Sequence, residues 1–126
     1  MGILSNLLGN AGTVGPEELN KEFSVLLTEG ESIDIGFRVF RDTFIFTNKR
    51  LILVDKQGIT GRKTEYMSIL YKSISLFSIE TAGSFDLEAE LKIWISSEVS
   101  PTIAKKFTKQ VNIYDLQKVL ANHLLK

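Results

Sequence analysis

The stretch FTNKRLILVDKQGITGRKTEY, residues 46–66, decides how the chain is read. It sets Lys49, Arg50, Lys56, Arg62 and Lys63 around the apolar run LILV and the glycines Gly58 and Gly61. Two readings compete: a basic loop that grips phosphate, or the turn chemistry of two consecutive hairpins. Connection length decides between them. Asn48 and Lys49 separate TFIFT from RLILVD, and KQGITG separates RLILVD from RKTEYMSIL. Connections this short join antiparallel strands, because a parallel crossover needs about a dozen residues or more. The two turns then lie at opposite ends of the sheet, about five residues or roughly 17 Å apart. Arg62 and Lys63, adjacent in a strand, point to opposite faces. The cations are scattered, and as strand-end charges they serve edge protection and solubility.

Upstream, Ile33, Ile35, Phe37 and Val39 alternate with Asp34, Gly36 and Arg38, the period of a half-buried strand. Downstream, SISLFSIETA is a strand broken at Gly83. FDLEAELKIWIS is another, with Leu87, Ala89, Leu91, Ile93 and Ile95 on one face and Glu88, Glu90, Lys92 and Trp94 on the other. Ile103, Lys105, Phe107 and Lys109 fit a short seventh strand or a helix, since their apolar spacing suits both.

Helices flank these strands. Pro16 suits a first helical turn, Glu17, Glu18 and Glu22 complement its positive end, and Leu19, Phe23, Leu26 and Leu27 form one apolar stripe ended by Gly30. This helix is expected over 16–28, strands over 32–109, and a C-terminal helix over 112–125, all in one domain, 16–126. Asn112 caps the last helix, whose apolar face is Ile113, Leu116, Val119, Leu120, Leu124 and Leu125. Such a helix is suited to plug an open barrel end. Residues 1–15 form a separate segment. Ile3, Leu4, Leu7 and Leu8 make a short amphipathic helix that must dock on its own domain, on a neighbouring subunit or on a membrane, and GNAGTVG reads as a flexible joint.

Composition narrows the function. The 15 cations balance 15 anions, so no global field attracts nucleic acid or an anionic membrane, and nucleic acid is excluded as a partner. The chain has no cysteine, which removes disulfides, thiolate metal sites and a thiol nucleophile and fits a reducing cytoplasm. The N-terminus lacks a signal-peptide pattern, and no apolar run approaches the roughly 20 residues of a membrane span. A soluble cytoplasmic protein is expected.

Catalytic chemistry finds little support. The one histidine, His123, sits near the end of the last helix, where a cation complements the dipole in a structural or solvated role. Asp86, Glu88 and Glu90 alternate along a strand as a solvated face, and no His or Cys cluster has metal-ligand spacing. QGITG lacks the lysine and hydroxyl residue of a phosphate loop and precedes a strand. No catalytic residue, metal or cofactor is expected. Tyr71 and Trp94 stand out. Trp94 lies on the polar side of its strand, where it marks an interface or is covered by the N-terminal helix.

The segments RDTFIFTNKRLILVDKQGITGRKTEYMSILYKSI and FSIETAGSFDLEAELKIWIS together resemble the bacterial pleckstrin-homology-like family. The resemblance runs from about Glu29 to the C-terminal helix. It implies a mainly β fold with flanking helices: a partly open barrel of about seven antiparallel strands in two near-orthogonal sheets, capped by the C-terminal helix. Many PH domains hold inositol phosphates on a lysine- and arginine-rich loop between the first two strands. Here that place is VFRDTF, so a phosphoinositide function is not carried over. The bacterial relatives imply homo-oligomeric rings instead. The expected function is a non-enzymatic assembly module acting as a cyclic homo-oligomer, with an unidentified protein as further partner and Trp94, Ile3, Leu4, Leu7 and Leu8 as interface candidates. The alternative is a peripheral domain at the inner membrane face, with Arg38, Arg41, Lys105, Lys106 and Lys109 on anionic head groups.

Overall fold

A computed structural model describes residues 7–9, 12–39, 41–58, 62–81, 88–108 and 111–125. Its elements run β1 (Thr13–Val14), α1 (Pro16–Phe23), β2 (Ile33–Val39), β3 (Asp42–Thr47), β4 (Arg50–Gln57), β5 (Lys63–Leu70), β6 (Ile74–Thr81), β7 (Glu88–Ile95), β8 (Ile103–Thr108) and α2 (Ile113–Leu124). Among the described residues the strands form two antiparallel sheets, ordered β1-β2-β3-β4-β5 and β6-β7-β8.

The apolar runs of β3 and β4 are explained by burial on both faces. Phe44, Phe46, Leu51 and Leu53 point into the barrel, where they meet Leu91 and Ile93 of β7 and Phe107 of β8. Ile45, Ile52 and Val54 point the other way, against Leu19 and Phe23 of α1. A strand with one wet face would alternate; these do not, because α1 is packed over the outside of the larger sheet. Full burial of each such side chain contributes about 1.5–3 kcal/mol. The close approach of α1 requires Gly36: a Cβ there would lie 2.6 Å from Leu19 Cδ1 and 3.0 Å from the Phe44 carbonyl.

Local signals in the sequence are borne out at several points. Pro16 opens α1, and Gly30 takes a φ of +78° beyond it. The helix is shorter than the apolar stripe suggests: it ends at Phe23, and Ser24–Leu26 tighten into a 3-10 turn. Asn112 caps α2 by accepting from the Tyr114 and Asp115 amides. Ile113, Leu116, Val119 and Leu120 then plug the barrel. The open alternative after Pro101 resolves as a strand over Ile103–Thr108, with Ile93 opposite Ile103 and Leu91 opposite Lys105.

The segment GNAGTVG is not simply a joint. Thr13 and Val14 pair with Phe37 and Gly36 as a fifth strand of the larger sheet, and Val14 is buried. Leu7 is buried in the barrel core, and Thr13 Oγ1 donates to its carbonyl at 3.1 Å. Ile3 and Leu4 lie outside the described residues. No helix among the described residues is long and apolar enough to cross a membrane.

Candidate docking surface

The strict alternation of β7 puts Ala89, Leu91, Ile93 and Ile95 towards the barrel and Glu90, Lys92 and Trp94 on the outer face of the smaller sheet. Register then chooses the neighbours of Trp94. Leu76 lies directly opposite it, Ser78 opposite Lys92 and Glu80 opposite Glu90. Leu76 is 55% exposed, so an apolar cross-strand pair faces outward at one end of this sheet while its charges gather at the other. The indole is tied to the following turn, where Trp94 Nε1 donates to the Val99 carbonyl at 3.2 Å, while Ser75 Oγ donates to the backbone carbonyl of Trp94 at 3.4 Å. Val99 itself stands clear, 94% exposed, in the turn after β7. Trp94 is half-buried, and α1 does not cover it, because α1 lies on the other sheet. Beside Leu76, Ile74–Phe77 and the end of α2 (Leu124, Leu125) line a groove of about 270 Å³.

The cations named from the sequence are not brought together. Arg38 projects from β2 towards α1, with Glu22 at 3.4 Å and Glu18 at 3.8 Å. Lys105 sits at the barrel mouth between Asp42 and Asp55, 3.2 Å from each. Burial alone would lower its pKa, but the hydrogen bonds to Asp55 and Asp42 outweigh that and raise it. Lys106, the next residue, points to the outer face opposite Glu90. Arg41 is exposed and carries an interaction of its own. Lys109 and Asp86, like the Glu88 side chain, lie outside the described residues. At the mouth, two carboxylates hold one lysine, an arrangement that repels an anion.

Arg50 is a correction to its reading as a solvated strand-end charge. Its Nε and Nη2 bind the two Glu31 oxygens at 2.8 and 2.9 Å, Nη2 also reaches the Leu26 carbonyl, and Nη1 reaches Ser68 Oγ. The Glu31 side chain is fully buried. The hydrogen bond from Arg50 leads the causes that hold its carboxyl at about 2, against burial and with help from the Thr28 amide and the Thr47 hydroxyl. Nothing in the periodicity marks this pair, since the two residues are distant in sequence and only β-pairing joins them.

His123 is structural, and it is buried rather than solvated. Its ring lies 5.6 Å from that of Phe46 and 4.8 Å from that of Tyr71. Nδ1 is 2.9 Å from the Val119 carbonyl and Nε2 3.0 Å from Asp34 Oδ2, so the residue ties α2 to β2. Tyr71 donates to the Thr47 carbonyl at 2.7 Å. Burial, then the charges of Asp34 and Glu31, push its phenol well above the usual range. Among the described residues no buried side-chain polar atom lacks a partner, and no cluster of metal-binding residues is present.

Among the described residues, seven strands of six residues or more in two sheets, with a helix capping the barrel, define the pleckstrin-homology-like class of fold. The chain belongs to the bacterial PH domain family, whose model matches residues 2–124. It is 57% identical over 121 residues to an uncharacterized Bacillus subtilis (strain 168) protein, YjqA, covering 96% of this chain and 97% of that protein. A pleckstrin-homology domain from Shewanella amazonensis SB2B is similar in structure, with a TM-score of 0.83, 44% identity, and coverage of 99% of this chain and 100% of that one. A pleckstrin-homology domain protein from Shewanella loihica PV-4 matches with a TM-score of 0.76 and 46% identity, over 92% of this chain and 98% of that one.

Proposed function

We propose that this protein is a non-catalytic assembly module that works as a closed ring of identical subunits in the cytoplasm. The observation that carries the reading is the outward-facing pair of Leu76 and Trp94, with Val99 beside it. Large aromatics held rigidly in an apolar setting are the residues that dominate protein interfaces. A copy that buries this patch with a different part of its own surface makes a heterologous contact, and such contacts close into rings when the rotation allows. A ring presents several identical surfaces at once, so weak contacts with a further protein gain avidity.

The membrane reading has less behind it. Leu8 is exposed, but Leu7 is taken up by the barrel core. Arg38 and Lys105 are already held by carboxylates. The test of assembly is the mass of the purified protein by light scattering, compared with that of Trp94→Glu. A wild-type multimer reduced by this substitution supports the reading.

A further inference from the structure

A neutral imidazole carries one N–H and one lone pair, and only the charged ring donates from both nitrogens. Both nitrogens of His123 face oxygen acceptors. Nδ1 is 2.9 Å from the Val119 carbonyl, and Nε2 is 3.0 Å from Asp34 Oδ2. A carbonyl oxygen can only accept, so Nδ1 carries a hydrogen. The contact at Nε2 then needs a second one, held by the ring as imidazolium or by Asp34 as a carboxylic acid. In either form the pair holds one proton more than a neutral histidine beside an ionised aspartate. Without that proton, lone pair meets lone pair at the seam between α2 and β2.

The groups around the ring leave Asp34 as its charge partner. β3 brings the ring of Phe46, and the 3-10 turn Tyr71–Ser73 brings Tyr71, whose hydroxyl donates to the Thr47 carbonyl. Burial, then the charges of Asp34 and Glu31, keep that phenol neutral. Glu31 itself is bound by Arg50. β6 and β7 bring apolar side chains to the core that α2 closes, among them Ile74, Phe77, Leu91 and Ile93. On α2, Asp115 is buried nearer the N-terminus, and Tyr114 and Lys118 are exposed. The His123 side chain is 3% exposed, but that of Asp34 is 26% exposed, so the pair exchanges its proton with solvent through the carboxylate.

We propose that the proton shared by His123 and Asp34 is a pH-sensitive latch, which holds the last turn of α2 on the barrel and releases it as the pH rises. Leu124 and Leu125 follow the latch directly and form one wall of the groove beside Ile74–Phe77. Release of the turn removes that wall and bares more of Ile74 and Phe77, which are half-buried when it is closed.

Amide hydrogen exchange on the full chain, expressed as protection factors from about pH 6 to about pH 9, reads the latch. Protection of the Leu124 and Leu125 amides is expected to fall about tenfold across this range, while Val119 and Leu120 keep theirs. Asp34→Asn removes the dependence, because an amide N–H at that position donates to Nε2 at every pH while Nδ1 still donates to the Val119 carbonyl. Tyr71→Phe keeps the fall, which separates the latch from ionisation of the phenol. In the wild type at the acidic end, nitrogen and carbon NMR is expected to show N–H on both nitrogens of His123, or on Nδ1 alone beside a protonated Asp34. Constant protection in the wild type overturns the proposal, as does an equal fall in Asp34→Asn. Loss of the fall in Tyr71→Phe assigns it to the phenol and overturns the latch, and so does a His123 ring with one N–H beside an ionised Asp34. Ring assembly is read separately, from mass, and either result can fail alone.

Discussion

Glu31 and Arg50 form a two-pronged ion pair, with Nε 2.8 Å from one carboxylate oxygen and Nη2 2.9 Å from the other, and the carboxylate is fully shut off from solvent. The pair fastens the turn after α1 to the β3–β4 hairpin. A carboxyl held at about 2 instead of 4.5 contributes roughly 3 kcal/mol of stability at neutral pH. The sign follows from its depressed folded pKa. The contribution is present above the unfolded value and is lost as pH falls from about 4.5 towards about 2. Glu31→Gln is therefore expected to lower urea stability by about 3 kcal/mol at neutral pH, with the gap to wild type narrowing in acid. A gap independent of pH would contradict this assignment.

Gly36 and Leu19 share one space. Gly36→Ala forces Leu19 or the Phe44 backbone to move, at a cost of about 1–3 kcal/mol. Leu19→Ala empties a fully buried site and costs about 2–5 kcal/mol. The double variant is expected to lose less than the sum, because truncating Leu19 makes room for the new methyl. Strict additivity in a denaturation cycle would mean that the strain lies against the Phe44 carbonyl.

Tyr71 should ionise only when the protein unfolds. Its phenol is raised by burial first and by Asp34 and Glu31 next, so the unfolded chain releases this proton before the folded one does. Stability then falls as pH rises above about 10, the unfolded value. Tyr71→Phe should flatten that decline, read as thermal midpoint against pH. An unchanged alkaline slope would refute the role.

His123→Ala removes the ring between Phe46 and Tyr71 and the link from α2 to Asp34. The loss is expected at about 2–4 kcal/mol, with amide exchange fastest in the last turns of α2. Equal acceleration along the whole helix would show that His123 does not latch its end.

The fold was legible because period and connection length are local properties. Asn48, Gly30, Pro16 and Asn112 mark turns and helix ends that the structure bears out, Asn48 and Lys49 forming the two-residue connection of β3 to β4. Burial of β4 on both faces was not read from its apolar run, and nothing local says that α1 is the cover. The polar interior was not legible. Arg50 looks like Lys49 and Lys56 in sequence, yet only Arg50 meets a buried carboxylate, brought from Glu31 by pairing. The only sequence signal for His123 is its place in the helix, which says nothing of Phe46 and Tyr71 on either side. Trp94 was found for a sound reason, the break in a polar face, while its partner Leu76 depends on a register shift near Ile74.

Anionic vesicles should leave the protein in the supernatant at low salt. Arg38 and Lys105 have carboxylate partners, and exposed charges bind head groups only as a cluster. Salt-sensitive co-sedimentation that Leu8→Glu abolishes would favour the membrane reading instead.

Light-scattering mass tests the central claim most directly. The chain is 14.1 kDa, and the account predicts a wild-type mass that is a fixed multiple of this, with Trp94→Glu shifted towards the single chain. A monodisperse wild-type monomer at micromolar concentration would contradict it.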